Sequence, residues 1–210
     1  MRSSFSIGLA AACALATLAV TARAAAPENA DTVQSVWRPV EIKYSYVGFT
    51  TAYDCNSFED KMERILAMLG APAGTRVQAL GCRYLNRPDR NFFVTITTAV
   101  PVPVEEAEKE ESKKKTEREL IKRLGGTKAV PEEPFQAAWK TVDLGRDRRL
   151  RLEPGDCELM EGLRDHVLPK LRAKIVKQTI NCTPNQLSIT TPELVVSVLA
   201  PLPSPDESER

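Results

Sequence analysis

Four cysteines are the residues of this chain with the clearest potential for chemistry: Cys55, Cys82, Cys157 and Cys182. A cysteine at the start of a helix can have a lowered pKa, and Cys55 and Cys157 both stand at the start of predicted helices. Redox catalysts generally hold two cysteines close in sequence, however, and the chain has no Cys-x-x-Cys. Zinc sites favour close Cys/His pairs, which are also missing. We therefore expect structural disulfides, no metal and no cofactor, with three pairings open.

The chain's one histidine, His166, lies beside Asp165 on a predicted helix. An imidazole next to a carboxylate is a candidate general base, so a hydrolase that uses His166 is one hypothesis. No Gly-x-Ser-x-Gly nucleophile elbow accompanies it. A surface or packing role is the alternative, and we expect that this chain has no catalytic residue.

Two further sets of side chains are candidates for binding. Tyr44 and Tyr46, with Phe49 nearby, would line a ligand groove in a small-ligand binding protein. Aromatic residues that alternate along a strand are also typical of a core. Four arginines near a predicted hairpin would meet an acidic partner or an anionic lipid: Arg146, Arg148, Arg149 and Arg151. Acidic residues interleave with them, so a solvated face is the alternative.

An internal duplication organises these residues. The scarcest residue types align in pairs at offsets of 100 to 102: Trp37 with Trp139, Cys55 with Cys157, and Cys82 with Cys182. An ancestral single unit would have closed its own bridge, so duplication favours Cys55–Cys82 and Cys157–Cys182 among the three pairings. Each bridge would tie the start of a helix to the following strand and contribute about 3–4 kcal/mol in the chain-entropy model.

Each copy is predicted to fold as strand, helix, strand, strand, with the helices on one face of a sheet. Residues 40–46 alternate between apolar and polar, which is typical of a half-buried strand. Asn56 or Ser57 is expected to cap the first helix, and Gly70 to end it. Asp156 is expected to cap the second helix. The predicted class is therefore α+β, in two repeated units that form either one sheet or two separate domains.

The predicted boundaries follow from these elements. The repeat units span residues 37–104 and 135–203, and a charged linker joins them over residues 105–134. Opposite charges at i and i+4, such as Glu110 and Lys114, favour a solvated helix for the linker, with a docking arm for a partner as the alternative. Residues 25–36 are expected to be flexible, and residues 204–210 to form a disordered tail.

The first 24 residues are typical of a secretory signal peptide. Arg2 precedes an apolar stretch over residues 7–20, and Ala22-Arg23-Ala24 offers small residues for cleavage. Cleavage removes two arginines and no acidic residue, so the formal charge changes from +1 to −1. A near-neutral chain gives no reason to expect nucleic-acid binding. No later segment has the length and apolar character of a membrane span.

These features predict a periplasmic or secreted protein. The leading hypothesis for its function is non-enzymatic, namely binding a protein partner in the cell envelope or stabilising an envelope assembly. The small-ligand binding protein and the hydrolase are the alternatives.

Overall fold

A computed structural model describes residues 32–82, 88–113, 133–186 and 190–202. The predicted signal peptide, most of the charged linker and the tail over residues 204–210 lie outside the described residues. The strands are β1 (Thr32–Val47), β2 (Arg76–Leu80), β3 (Asn91–Pro103), β4 (Phe135–Asp143), β5 (Lys174–Thr179) and β6 (Glu193–Pro201). The helices are α1 (Cys55–Met68), α2 (Val104–Lys113) and α3 (Cys157–Gly162). A 3-10 turn (Pro154–Asp156) precedes α3, and a π-helical turn (Leu163–Val167) continues it.

All six strands belong to one antiparallel sheet with the order β2-β3-β1-β4-β6-β5. The central strands β1 and β4 pair only near their starts, where residues 32–35 lie against residues 135–138. The α+β class is therefore confirmed, and the strands form one continuous sheet instead of two separate ones.

The alternation of apolar and polar residues determines which face of β1 is buried. Ile42, Tyr44 and Tyr46 point into the core, whereas Glu41 and Lys43 are exposed on the opposite face. The strand begins at residue 32, inside the segment 25–36 that we expected to be flexible. Pairing with β4 explains this difference, because it gives the backbone groups of residues 32–35 partners within the sheet.

α1 buries one face and is capped by an aspartate. Phe58 and Met62 recur at helical spacing and are fully buried. The cap is Asp54, whose carboxylate accepts the backbone N–H of Ser57 at 2.9 Å. The expected caps, Asn56 and Ser57, lie instead within the first turn, because the helix already begins at the preceding cysteine.

The chain makes the same kind of turn after α1 and after the π-helical turn that continues α3. Gly70 has a φ of 86°, and the N–H of the next residue donates to the Leu66 carbonyl at 3.0 Å. Arg172 has a φ of 56°, and the N–H of the next residue donates to the Leu168 carbonyl at 3.1 Å. A residue with left-handed backbone at this position turns the chain and satisfies carbonyls at the helix end.

The buried faces of α1 and α3 pack with both halves of the sheet in one apolar cluster. Inward-facing pairs from the two halves belong to it: Ile42 lies opposite Ile96, and Val142 lies opposite Val196. The chain just after α1 also reaches the other half, because Gly70 lies against Ala200 of β6. The two halves of the sheet therefore share one main core, and a second, smaller cluster lies under α2 at Val100, Val102 and Ala107.

The two tryptophans do not hold matching positions in the strand register. Trp37 lies opposite Pro101, whereas Trp139 lies opposite Leu199. The inward-facing pairs just described are related by an offset of 100, and at that offset Trp37 corresponds to Ala137. The strand register therefore does not follow the expected alignment of the tryptophans at an offset of 102.

α2 occupies the first part of the charged segment, where opposite charges at i and i+4 predicted a helix. This part is not simply solvated, because Ala107 is buried and Glu106 and Glu110 pair with Arg172 at 2.7 and 2.6 Å. α2 therefore docks on the body of the protein. None of the helices within the described ranges has the length and apolar character that crossing a membrane requires.

Candidate functional site

The cysteines form the two disulfides that the sequence predicted. Cys55 is bonded to Cys82, with 6.4 Å between their Cα atoms, and Cys157 is bonded to Cys182, with 5.6 Å. Cys55 and Cys157 each begin a helix and are buried. Each bridge therefore ties a helix start to the chain after β2 or β5, which is the geometry of a structural crosslink.

The aromatic residues of β1 belong to the core. Tyr46 stacks on Phe92 with 4.8 Å between ring centroids, and its hydroxyl donates to the Thr51 carbonyl at 3.1 Å. Tyr44 is also buried and stacks on His166 at 5.1 Å. Burial raises the pKa of both tyrosines. These contacts favour the core interpretation over a ligand groove, and of the three aromatic candidates only Phe49 is exposed.

His166 lies on the surface of the π-helical turn that follows α3. Its ring contacts Tyr44, while the neighbouring Asp165 accepts two hydrogen bonds from Arg164, at 2.6 and 2.8 Å. The hydrogen bond from Arg164 lowers the pKa of Asp165. The carboxylate that would orient a catalytic imidazole is thus held by a guanidinium.

The four candidate arginines lie in the exposed loop after β4. Arg146 pairs with Asp143 at 3.4 Å, and Arg149 binds Asp147 through two of its nitrogens. Arg148 and Arg151 are exposed on the same loop. The interleaved acidic residues therefore neutralise part of this surface, as the solvated-face alternative predicts.

A buried polar contact joins the two halves near the start of α3. Asp156 is 3 % exposed and accepts hydrogen bonds from the Tyr53 hydroxyl, from the Lys61 ammonium at 2.7 Å and from the Glu153 backbone at 2.7 Å. Burial, followed by the charge of Asp156, raises the pKa of Tyr53. We call Asp156, Lys61 and Tyr53 the Asp156 junction. Sequence reasoning missed it because Lys61 and Asp156 are 95 residues apart.

A cleft of about 530 Å³ lies beside the C-terminal half of α1. Arg64 and Met68 of α1 form one side, and Lys140 of β4 and the loop residue Arg149 line it as well. Of the four candidate arginines only Arg149 lines the cleft. Sequence reasoning missed Arg64 and Lys140, since they come from different halves and carry no motif.

The face of the sheet opposite the helices is uncovered in the described part of the chain. Three large apolar side chains share one corner of it and are 42, 55 and 66 % exposed: Val47, Leu80 and Phe93. Leu80 lies directly opposite Phe93 in the register. We call these three residues the outer-face patch. Elsewhere on this face, Trp139 is 41 % exposed and lies under the Lys174 ammonium, 4.6 Å from its ring centroid.

Within the described ranges, no group of three or more His, Cys, Asp or Glu side chains is arranged to hold a metal ion. Comparisons of the chain with protein-family models, with curated proteins and with solved structures found no match.

Proposed function

We propose that this chain is an exported, non-enzymatic protein that binds a protein partner in the periplasm or outside the cell through the outer-face patch. The observation that carries the proposal is the exposure of Val47, Leu80 and Phe93 at one corner of a sheet face that no described element covers. Contiguous exposed apolar side chains with a polar surround are typical of protein-interaction sites.

Export is supported by two features. Residues 1–24 have the three parts of a secretory signal peptide. The two disulfides fit an oxidising compartment such as the periplasm or the extracellular space, because thiols are kept reduced in the cytosol.

Duplication is part of the same proposal, with repeat units over residues 37–104 and 135–203. The sheet order supports it, since in each half the first strand is central, the third lies next to it and the second is at the edge. The residues with positive φ at Gly70 and Arg172 support it as well. They are 102 residues apart, which is the offset that aligns Cys55 with Cys157. A duplicated, disulfide-bonded sheet would present a large rigid surface to a partner.

The surroundings of the patch favour a protein over a membrane or a nucleic acid. The next positions on the same face are Gln78, Thr95 and Lys43, which lie opposite one another in the register. Lys43 pairs with Glu41 at 3.0 Å. Anionic lipids and nucleic acids require a concentration of positive charge, and the positions next to the patch named above contain one cation, Lys43, which is already paired.

The proposal is tested by placing a photo-crosslinking amino acid at Thr95, beside the patch, in cells that export the protein. The matched control carries it at Asp60, on the exposed face of α1. We expect a crosslinked adduct with a different protein from Thr95 and no adduct from Asp60. The partner is then identified by mass spectrometry, purified and titrated against the protein. Phe93→Ser should weaken this binding by about tenfold or more.

Thr97→Ser, farther along the same strand face, controls for substitution in β3. Thermal unfolding should show that Phe93→Ser folds, because this side chain is already 66 % exposed. Three results would overturn the proposal: no adduct from Thr95, an adduct of the chain only with itself, or binding of the purified partner that Phe93→Ser leaves unchanged.

A further inference from the structure

The cleft beside α1 has an apolar floor. Ala67 and Met68 of α1 face Val142 of β4 and Leu150 of the following loop, and the last two are buried. Its volume of about 530 Å³ falls within the range of small-ligand sites, which is about 300–1,000 Å³. The floor can therefore accept an apolar group of a small molecule.

The acidic residues that line the cleft already have cationic partners. Arg149 binds Asp147 through Nε at 3.1 Å and through Nη2 at 2.8 Å. Asp143 accepts the backbone N–H of Arg146 at 3.2 Å and pairs with its guanidinium at 3.4 Å. Neither aspartate is left to neutralise another cation in the cleft.

Two cations that line the cleft have no carboxylate partner among the described residues: Arg64 and Lys140. The Nε of Arg64 donates to the backbone carbonyl of Asp60 at 3.0 Å, and no acidic side chain pairs with the guanidinium in the structure's described ranges. Lys140 likewise forms no ion pair there. Both side chains are exposed, so their N–H groups can donate hydrogen bonds to a ligand.

The strand that forms one wall of the cleft also has an edge that no described strand pairs with. β4 pairs with β1 only over residues 135–138, whereas Lys140, Thr141 and Val142 pair only with β6 among the described strands. Backbone groups on this edge are thus available beside the two cations.

We propose that this cleft binds a small amphiphilic carboxylate, with its anionic group on Arg64 and Lys140 and its apolar chain on Met68, Val142 and Leu150. A guanidinium can bind a carboxylate through two parallel hydrogen bonds, and an ammonium adds a second charge-assisted bond. The charged side chains that line the cleft are three cations (Arg64, Lys140 and Arg149) and two aspartates (Asp143 and Asp147), so their formal charge is +1. This net charge favours a ligand with a single negative charge on an apolar body. The site lies apart from the outer-face patch, and the inference does not depend on the partner proposed above.

The inference is tested with the full mature chain and decanoate, by isothermal titration calorimetry and by NMR shifts of the cleft residues. Decanol has the same chain length without the charge and serves as the matched ligand. We expect saturable binding of decanoate, with shifts at Met68 and Val142, and binding of decanol weaker by about tenfold or more.

Single substitutions test which side chains bind the carboxylate of decanoate. Arg64→Gln and Lys140→Gln should each weaken decanoate binding by about tenfold, the loss expected for one charge-assisted hydrogen bond. Arg148→Gln is the matched control, since it removes one positive charge from the adjoining loop without lining the cleft. Unfolding curves of all three variants should match that of wild type, because none of these side chains is buried or ion-paired within the described residues.

Three results would overturn the inference. The first is an absence of decanoate binding to the folded wild-type chain. The second is equal affinity for decanoate and decanol, which would show an apolar site without charge recognition. The third is an equal loss of affinity in Arg148→Gln and Lys140→Gln, which would show that the net charge of the protein attracts decanoate without specific contacts in the cleft.

Discussion

The main helices of the two halves both follow an aspartate and begin with a disulfide-bonded cysteine, yet the two aspartates make different contacts. Asp54 is partly exposed and caps α1 by accepting the N–H of Ser57. Asp156 makes no side-chain cap to α3 and is instead buried against Lys61 and Tyr53 of the first half. The same residue type before the same element is a local cap in one half and a long-range contact in the other.

The helices themselves differ in a related way. α1 is a regular α-helix of 14 residues, whereas α3 has six residues and continues as a π-helical turn. In that turn the N–H of Leu168 donates to the carbonyl of Leu163 at 2.9 Å. In the wider turn both Val167 and Leu168 are buried, whereas His166 is exposed to solvent. The helix of the second half is therefore shorter and more irregular than that of the first half, and it is the one whose preceding aspartate contacts the other half.

The largest effect that tests this contrast is expected for Asp156→Ala. The change leaves the Lys61 ammonium and the Tyr53 hydroxyl without their acceptor in a mostly buried site. We expect a loss of about 3–5 kcal/mol in the free energy of unfolding, which is typical when one partner of a buried ion pair is removed. Urea unfolding followed by circular dichroism measures it.

The double variant Asp156→Asn/Lys61→Met separates the charge from the packing. It removes both charges together and should recover a large part of the stability that Asp156→Ala loses. A loss below about 1 kcal/mol in Asp156→Ala would contradict the description of the Asp156 junction as a buried, desolvated contact.

Removing one disulfide at a time should affect the two halves about equally. The bridges join cysteines 27 and 25 residues apart, so restriction of the unfolded chain predicts a loss of about 3–4 kcal/mol for either pair. Cys55→Ala/Cys82→Ala and Cys157→Ala/Cys182→Ala are compared by urea unfolding under non-reducing conditions. A difference of more than about 2 kcal/mol between them would show that native packing around one bridge, and not loop size, sets its contribution.

Local patterns in the sequence predicted the elements and their covalent links. The alternation over residues 40–46 identified the buried face of β1, and the order of the cysteines identified both disulfides. The cap of α1 was misplaced, because Asp54, Asn56 and Ser57 are all good capping residues and only the backbone shows which one lies outside the helix.

The candidate sites depended on contacts between distant residues, which local patterns do not reveal. Arg64 and Lys140 line one cleft only because β4 lies at the centre of the sheet, a result of strand order. The alternating pattern correctly indicated that Tyr44 lies on the buried face of β1, but such a pattern does not distinguish a core residue from one that lines a ligand groove. The residues of these candidate sites could be found from the sequence only with information on which distant positions contact one another.

The smallest effect, and the one that isolates the local role of an aspartate, is expected for Asp54→Ala. Loss of the cap should cost about 1 kcal/mol near neutral pH. Hydrogen bonds from Ser57 lower the pKa of Asp54 below its ordinary value of 3.8. A carboxylate with a lowered pKa stabilises the folded state above the unfolded pKa, and this contribution is lost as the pH falls through the folded value. The stability difference between wild type and Asp54→Ala should therefore shrink below about pH 4.

Asp54→Asn is the matched control, because asparagine caps a helix about as well as aspartate and does not titrate in this range. Its stability relative to Asp54→Ala should stay constant from neutral pH to about pH 3, whereas that of wild type should fall. If wild type and Asp54→Asn lose stability in parallel as the pH is lowered, the Asp54 carboxylate contributes nothing through its charge. The contrast between the two aspartates would then rest on Asp156 alone.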